Sequence, residues 1–166
     1  KKKKIIILNL ASVKCDKISY NINNDDIKKT FSVNCFSFLN FVQHFLPEMI
    51  RVKWGRVINF SSTAGSAGEK GTLLYTASKN ATHGMINVMS KEYAQFNITF
   101  NTLELGNFNY GLFKKLKQKM RKKIISNIPS KKTGNIKDIY NAINFIINSS
   151  YVNGSKINVD GGYTAL

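Results

Sequence analysis

Acidic residues and long apolar runs are scarce in this sequence, and each scarcity narrows the class of protein. Nine Asp and Glu accompany 25 Lys and Arg among 166 residues, which gives a formal net charge of +16. No apolar run approaches the ~18 residues of a membrane-spanning helix, so no membrane span is expected. The apolar run Ile5–Leu8 is also too short for the core of a signal peptide. It is better interpreted as a buried strand.

Cysteine is scarce as well. The two cysteines, Cys15 and Cys35, have neither metal-ligand nor redox spacing, which favours a reduced, cytoplasmic protein without a metal site. The glycines at 65, 68 and 71 lack the Gly-x-Gly-x-x-Gly spacing of a phosphate-binding turn, so they indicate loop flexibility.

The excess of positive charge leaves nucleic-acid binding open as an alternative. However, the joint richness in Lys, Asn, Ile and Phe is what an AT-rich coding sequence yields, and no nucleic-acid motif is present. No specific nucleic-acid partner is therefore expected.

The stretch from Ser61 to Lys79 carries the candidate chemistry. Tyr75 and Lys79 stand four residues apart, so on a helix they share a face. An ammonium beside a phenol favours the phenolate, which makes a tyrosine usable as a general acid or base. Ser62 follows the apolar run 56–60, which predicts a buried strand. A hydroxyl at a strand's carboxyl end points into the crevice where open α/β sheets bind ligands. Alone, such a tyrosine–lysine pair is a weak signal, because most are surface neighbours.

Several further stretches match the motifs of one known family. They are Asn9–Ser12, Val33-Asn34, Leu46-Pro47-x-Met49, Gly55–Ser62, Tyr75-x-Ala77-Ser78-Lys79, Asn101–Gly106 and Val159-Asp160-Gly161-Gly162. On these motifs the chain resembles the short-chain dehydrogenase/reductase family, close to its 3-oxoacyl-[acyl-carrier-protein] reductase branch, over almost its whole length. The resemblance implies an α/β fold, namely the C-terminal portion of a Rossmann-type doubly wound parallel sheet, strands 4 to 7 with flanking helices.

The resemblance also implies an NAD(P)-dependent oxidoreductase that reduces a carbonyl by hydride transfer. In that role Tyr75 donates the proton to the carbonyl oxygen and Ser62 hydrogen-bonds it. Lys79 supports Tyr75 and holds the nicotinamide ribose, and Asn34, often at a local helix distortion in the family, anchors a proton-relay water. The implied cofactor contacts are Asn9, Leu10, Ala11, Tyr75, Lys79, Gly106 and Phe108.

The family's leading strand, glycine-rich turn and helix, which bind the cofactor pyrophosphate, have no counterpart in this sequence. Residues 1–166 are therefore interpreted as one partial Rossmann-type domain, the catalytic half without the first βαβ unit. The family strand order, 3-2-1-4-5-6-7, then makes the first strand here a bare edge, and the natural protein is expected to be longer. The sequence leaves the choice between NADH and NADPH open. Leu10, Ser12 and Tyr110 depart from the family pattern, so Tyr110 inherits no cofactor role.

Apolar periodicity and turn residues predict the order of elements. The predicted strands are 4–10, 56–60, 98–105 and 155–159; the predicted helices are 26–50, 75–96, 110–128 and 136–149, with a flexible loop at 63–74. His83 is interpreted as structural or interfacial. The basic run 114–123 is either a solvated helix or a lid that favours an acidic partner.

Substrate and assembly stay open at this point. A 3-oxoacyl thioester on an acyl carrier, a keto-sugar and another small ketone are all compatible with the resemblance, which also implies a homodimer or homotetramer. A different class of function is a catalytically inactive, truncated family member that acts as an oligomer subunit. The four intact catalytic positions speak against it.

Overall fold

The computed structural model describes residues 3–165, without the side chain of Leu112. Within this range, four strands form one parallel sheet in the order β1-β2-β3-β4. The strands are β1 (Ile5–Asn9), β2 (Gly55–Ser62), β3 (Ile98–Leu105) and β4 (Lys156–Val159). Asn9 pairs with Asn59, and Ser62 pairs with Leu105. The carboxyl ends of all strands therefore lie at one edge of the sheet.

Helical segments connect the strands. They are α1 (Asn24–Phe31), a π-helical turn (Ser32–Phe36), α2 (Ser37–Val52), α3 (Thr63–Ala67), α4 (Leu73–Glu92), α5 (Gly111–Lys114), α6 (Gln118–Asn127) and α7 (Ile136–Asn148), with 3-10 turns at Ser19–Asn21 and Ala94–Phe96. Capping boxes begin α1 and α7, because Asn23 and Asn135 each exchange hydrogen bonds with an aspartate three residues on.

Apolar side chains cover the sheet on both faces. On one face, residues of α2 and α4 such as Phe38, Val42 and Ile86 pack with Val57 and Phe100. On the other face, a second cluster joins α7 to β2 and β3. A parallel sheet between two helical layers is the doubly wound arrangement. The predicted α/β fold is confirmed.

Strand β1 is less buried than its sequence predicted. Ile7 lies in the core, but Ile6 and Leu8 on the opposite face are 44% and 41% exposed. Within residues 3–165, β1 pairs with β2 alone, and α7 packs farther along the sheet against β2, β3 and β4. The expected bare edge is therefore confirmed, whereas the strand expected to be buried is buried on one face only, at Ile7.

Two other expectations also need correction. Residues 63–74 are not one loop: they contain α3 and the start of α4, so Tyr75 stands in the first turn of α4. Residues 110–128 are not one helix, because Lys117 adopts ψ 146° and separates α5 from α6. None of the described helices has the length and apolar character needed to cross a membrane.

Candidate active site

The candidate catalytic side chains come from β2, α4 and the π-helical turn. Ser62 is the last residue of β2 and the N-cap of α3, whereas Tyr75 and Lys79 lie one turn apart on α4. Asn34 belongs to the π-helical turn, which packs against α4. Residues far apart in the sequence thus meet around the first two turns of α4.

Lys79 is a buried cation. Lys79 is only 4% exposed, and its Nζ donates a 2.9 Å hydrogen bond to the carbonyl oxygen of Phe60. Burial lowers the pKa of Lys79 from 10.5 to about 8, with a smaller opposing effect of Cys35. The ammonium is 5.7 Å from the centroid of the Tyr75 ring. A cation that is costly to bury is thus held beside the phenol.

Tyr75 is 9% exposed and has a second lysine nearby, since Lys14 Nζ is 5.8 Å from its ring centroid. Ser62 Oγ accepts a long, 3.3 Å hydrogen bond from the backbone N–H of Ala64. A hydroxyl that accepts at its oxygen keeps its own hydrogen to donate. Ser62 therefore has the donor that a carbonyl oxygen needs.

The side chain of Asn34 connects α4 to the segment after β1. Its Nδ2 donates to Ser78 Oγ at 2.9 Å and to the carbonyl oxygen of Val13 at 3.0 Å, while Oδ1 accepts from the Val13 N–H at 2.7 Å. Ser78 Oγ in turn donates to the Tyr75 carbonyl oxygen at 2.8 Å. The distortion expected around Asn34 is present as five π-helical residues, a form common at functional sites.

The candidate cofactor contacts follow strand ends at the same sheet edge. Asn9 Nδ2 donates to Asn59 Oδ1 at 2.7 Å, and Leu10 and Ala11 are exposed beyond β1. Gly106 follows β3, and its N–H donates to the Val159 carbonyl oxygen at 3.0 Å. Phe108 packs tightly on Gly134, since a Cβ added to Gly134 would lie 2.3 Å from the Phe108 ring. These contacts are internal to the protein, so the cofactor roles of these residues stay predictions.

Three groups that contact the candidate catalytic residues were not predicted from the sequence. Ser78 connects Asn34 to the backbone of Tyr75 through two hydrogen bonds. Its position three residues after Tyr75 on a helix could have indicated that it lies close to Tyr75. The Phe60 carbonyl carried no such signal, because any strand residue has one. Lys14 comes close only because Asn34 folds residue 13 back toward α4. No local pattern indicates that long-range contact.

Other ionisable groups complete the surroundings. His83 Nδ1 lies 3.0 Å from Thr102 Oγ1, and its pKa is lowered mainly by burial and by Lys156. The contact fits the structural interpretation of His83. A cavity of about 580 Å³ lies next to the segment after β1, with a lining that includes Lys14, Phe113 and Lys115. In residues 3–165, no group of three or more His, Cys, Asp or Glu residues could hold a metal ion.

Comparison with known proteins identifies related chains. A family model described as enoyl-(acyl carrier protein) reductase matches residues 3–164. The 3-oxoacyl-[acyl-carrier-protein] reductase FabG of Buchnera aphidicola subsp. Schizaphis graminum is 30% identical over 159 residues, which are 95% of this chain and 65% of that relative. The chain thus spans about two thirds of the curated relatives that it matches.

Solved structures agree with the fold. A putative gluconate dehydrogenase from Agrobacterium tumefaciens superposes with a TM-score of 0.91 at 22% identity, over 97% of this chain and 65% of that one. ElxO with NADP bound gives a TM-score of 0.88 at 23% identity, over 97% of this chain and 67% of that one. At such identities the likeness concerns the fold alone.

Proposed function

The chain belongs to the short-chain dehydrogenase/reductase family, and we propose from that premise that it forms the catalytic part of an NAD(P)-dependent carbonyl reductase. The single observation that carries the proposal is Lys79, a nearly buried ammonium one helical turn beyond Tyr75 and 5.7 Å from its ring. Placing a lysine there costs stability through desolvation. A chain that only filled its core would place an apolar side chain at this position.

Tyr75 is the proton donor in this proposal. It transfers its phenolic proton to the carbonyl oxygen of the substrate as that oxygen gains negative charge. Ser62 donates its own hydroxyl hydrogen to the same oxygen, and its Oγ remains oriented by the Ala64 N–H. The Lys79 ammonium stabilises the phenolate that is left behind, through its charge in a site of low dielectric constant.

Asn34 supports the return of a proton to the site. Its side-chain amide is engaged by Val13 and Ser78, so we assign the relay water to its main-chain carbonyl oxygen. Thr82 Oγ1 already lies 3.2 Å from that oxygen, and a carbonyl oxygen has a second lone pair for a water. The side chain then fixes the geometry of the π-helical turn.

The residues present fit the nicotinamide-ribose half of a dinucleotide. An ammonium has three N–H donors, and Phe60 takes one from Lys79, which leaves donors for ribose hydroxyls at the carboxyl edge of the sheet. When bound, NADH or NADPH supplies the hydride. Asn9 ends β1, and Leu10, Ala11, Gly106 and Phe108 follow strand ends at that edge. These five residues are proposed as further neighbours of the cofactor. The ElxO structure contains NADP, but preference between the two cofactors stays open.

The proposed substrate is a ketone, either free or carried on an acyl-carrier protein. The relative named as a 3-oxoacyl-[acyl-carrier-protein] reductase supports a 3-oxoacyl thioester. Lys115, which belongs to the basic run 114–123, lines the 580 Å³ cavity. The positive charges of this run favour an acidic carrier protein. A cytoplasmic homodimer or homotetramer is the proposed form of the protein.

Substitution of the catalytic residues in the full-length protein tests this function. Purified enzyme is mixed with NADH or NADPH and an acetoacetyl thioester, and cofactor oxidation is followed by absorbance. We expect Tyr75→Phe and Ser62→Ala each to lower kcat about 100-fold or more, because proton transfer typically contributes that much. Asn87→Ala, on the exposed side of α4, is the control. Undiminished activity in Tyr75→Phe would contradict the proposal.

A further inference from the structure

Helix α3, which begins directly after Ser62, is too short and too poor in apolar residues to be stable by itself. It consists of the five small residues Thr63–Ala67, far fewer than an isolated helix needs. Its N-cap bond, from Ala64 N–H to Ser62 Oγ, is long at 3.3 Å. The pairing of β2 with β3 holds the backbone of Ser62, so whatever fixes α3 orients the Ser62 hydroxyl through this N-cap bond.

Two side chains of α4 bind the backbone of α3. Thr76 Oγ1 donates to the Ala64 carbonyl oxygen at 3.0 Å, and Asn80 Nδ2 donates to the Gly65 carbonyl oxygen at 2.8 Å. Thr76 and Asn80 directly follow Tyr75 and Lys79 in the sequence. The turns of α4 that present the candidate catalytic pair thus also bind the segment that follows Ser62.

The helices are in close contact where these bonds form. A Cβ added to Gly65 would lie 3.5 Å from the Cβ of Lys79 and 3.5 Å from Ser61 Oγ. These would be ordinary van der Waals distances, so the space between Gly65 and these two side chains is about that of one methyl group. The hydrogen bonds from Thr76 and Asn80 therefore cross a short gap between α3 and α4.

A third anchor holds the next residue of α3 to the sheet. Ser66 Oγ donates to the carboxylate of Glu104 on β3, with oxygens at 2.8 and 2.9 Å, and Glu104 is only 2% exposed. Lys156 on β4 donates to Ser66 Oγ at 2.7 Å and lies 3.6 Å from the same carboxylate. Three consecutive residues, 64 to 66, are thus each tied to a neighbouring element.

We propose that Thr76, Asn80 and Glu104 form a clamp that positions Ser62 relative to Tyr75 during carbonyl reduction. The inference rests on the proposed function for its catalytic consequence. The clamp residues are positioning residues: they hold α3, and α3 holds the hydroxyl that binds the substrate oxygen. Weakening the clamp therefore lowers the rate of the chemical step more than it weakens substrate binding.

The test compares paired variants of the full-length protein. Thr76→Val keeps the shape of threonine but removes the hydroxyl, whereas Thr76→Ser keeps the hydroxyl. Asn80→Ala removes the side-chain amide at an exposed position, so we expect the variant to fold. Asn87→Ala is the matched control, because it makes the same change on the same helix but away from α3. We expect Thr76→Val and Asn80→Ala to lower kcat about 10-fold with KM nearly unchanged, because small displacements of a positioned group are that costly. Thr76→Ser and Asn87→Ala should behave like the unmodified enzyme.

Amide hydrogen exchange provides a readout that does not require activity. In Asn80→Ala the amides of residues 63–68 should exchange faster, because α3 loses the bond to Gly65. Those of residues 85–92 should keep their rates, because the other bond of the Asn80 amide is to Thr76, near the start of α4. Unchanged kcat together with unchanged exchange would overturn the clamp. If the unmodified enzyme reduces no carbonyl compound, the proposed function fails, and the exchange rates still decide whether α4 holds α3.

Discussion

At the scale of single residues, burial of the Lys79 ammonium lowers the free energy of unfolding. The unfolded chain keeps this lysine protonated up to its ordinary pKa of 10.5, whereas the folded protein releases the proton from about pH 8. Between these values the unfolded state binds more protons, so stability rises with pH. Below about pH 8 the full cost is present, and it corresponds to ~3 kcal/mol.

Replacement of Lys79 by methionine makes that cost visible. The stability advantage of Lys79→Met over the unmodified protein should shrink by about 2 kcal/mol between about pH 7.5 and about pH 9.5, because Lys79 is the one titrating group that the substitution removes. Urea unfolding of both proteins at each pH measures the difference, and shared titrations cancel. An advantage that does not change with pH would mean that Lys79 titrates as an exposed lysine does.

The sequence predicted that Tyr75 and Lys79 lie close together, but not the contacts around them. Tyr75 and Lys79 were predicted as neighbours because helical spacing alone brings them together. Ser78 meets Asn34 across 44 positions of sequence, and Lys14 reaches Tyr75 only through the folded segment after β1. Such contacts depend on tertiary packing, which no local pattern encodes.

At the scale of elements, Gly106 has a structural reason to be glycine. A Cβ added there would lie 2.7 Å from Cα and 2.9 Å from Cβ of Asp160, so the turns after β3 and β4 approach too closely for a side chain. The sequence resemblance implied a cofactor contact for Gly106. Its close approach to Asp160 is a separate requirement that holds without any cofactor.

Two glycine-to-alanine substitutions distinguish the effect of steric crowding on stability from the effect of helix propensity. Gly106→Ala should lower the free energy of unfolding by about 2 kcal/mol, because the neighbouring backbone must move. Gly84→Ala, inside α4 with nothing within 4 Å of the added Cβ, should raise it by about 0.5–1 kcal/mol. Urea unfolding measures both. Equal stability of Gly106→Ala and the unmodified protein would show that the two turns can separate at no cost.

Elements with strong apolar periodicity were predicted well, and those without it were not. Helices α2 and α4 bury regular apolar positions such as Phe38, Val42 and Ile86, and their existence followed from the pattern. Helix α3 has only small residues and depends on Thr76 and Asn80, so the sequence indicated a loop. Intrinsic preference is a weak guide wherever tertiary contacts decide the local structure.

At the scale of the whole molecule, the parallel order of the sheet and the place of β1 at its edge were both predictable from the sequence. Within the described residues 3–165, β1 pairs with β2 alone, and its Ile6 and Leu8 are exposed on one face. Exposed apolar edges favour unwanted association. The curated FabG relative is longer, with 65% of its length covered by this chain. A further segment of the natural protein that covers β1 is therefore the expected partner of this edge.

The intact mass of the natural protein and its binding of nucleotides test that expectation together. We expect a mass well above the 18.7 kDa of these 166 residues, and saturable binding of NADH or NADPH in a fluorescence titration. In the proposal, Lys79 and Tyr75 contact only the ribose end of the dinucleotide, whereas the pyrophosphate is bound by a glycine-rich turn at a helix N-terminus in folds of this type. The isolated 166-residue chain should bind far more weakly than the natural protein. A natural mass equal to that of this chain, with no binding of either nucleotide, would leave a family-derived subunit with an unused active site.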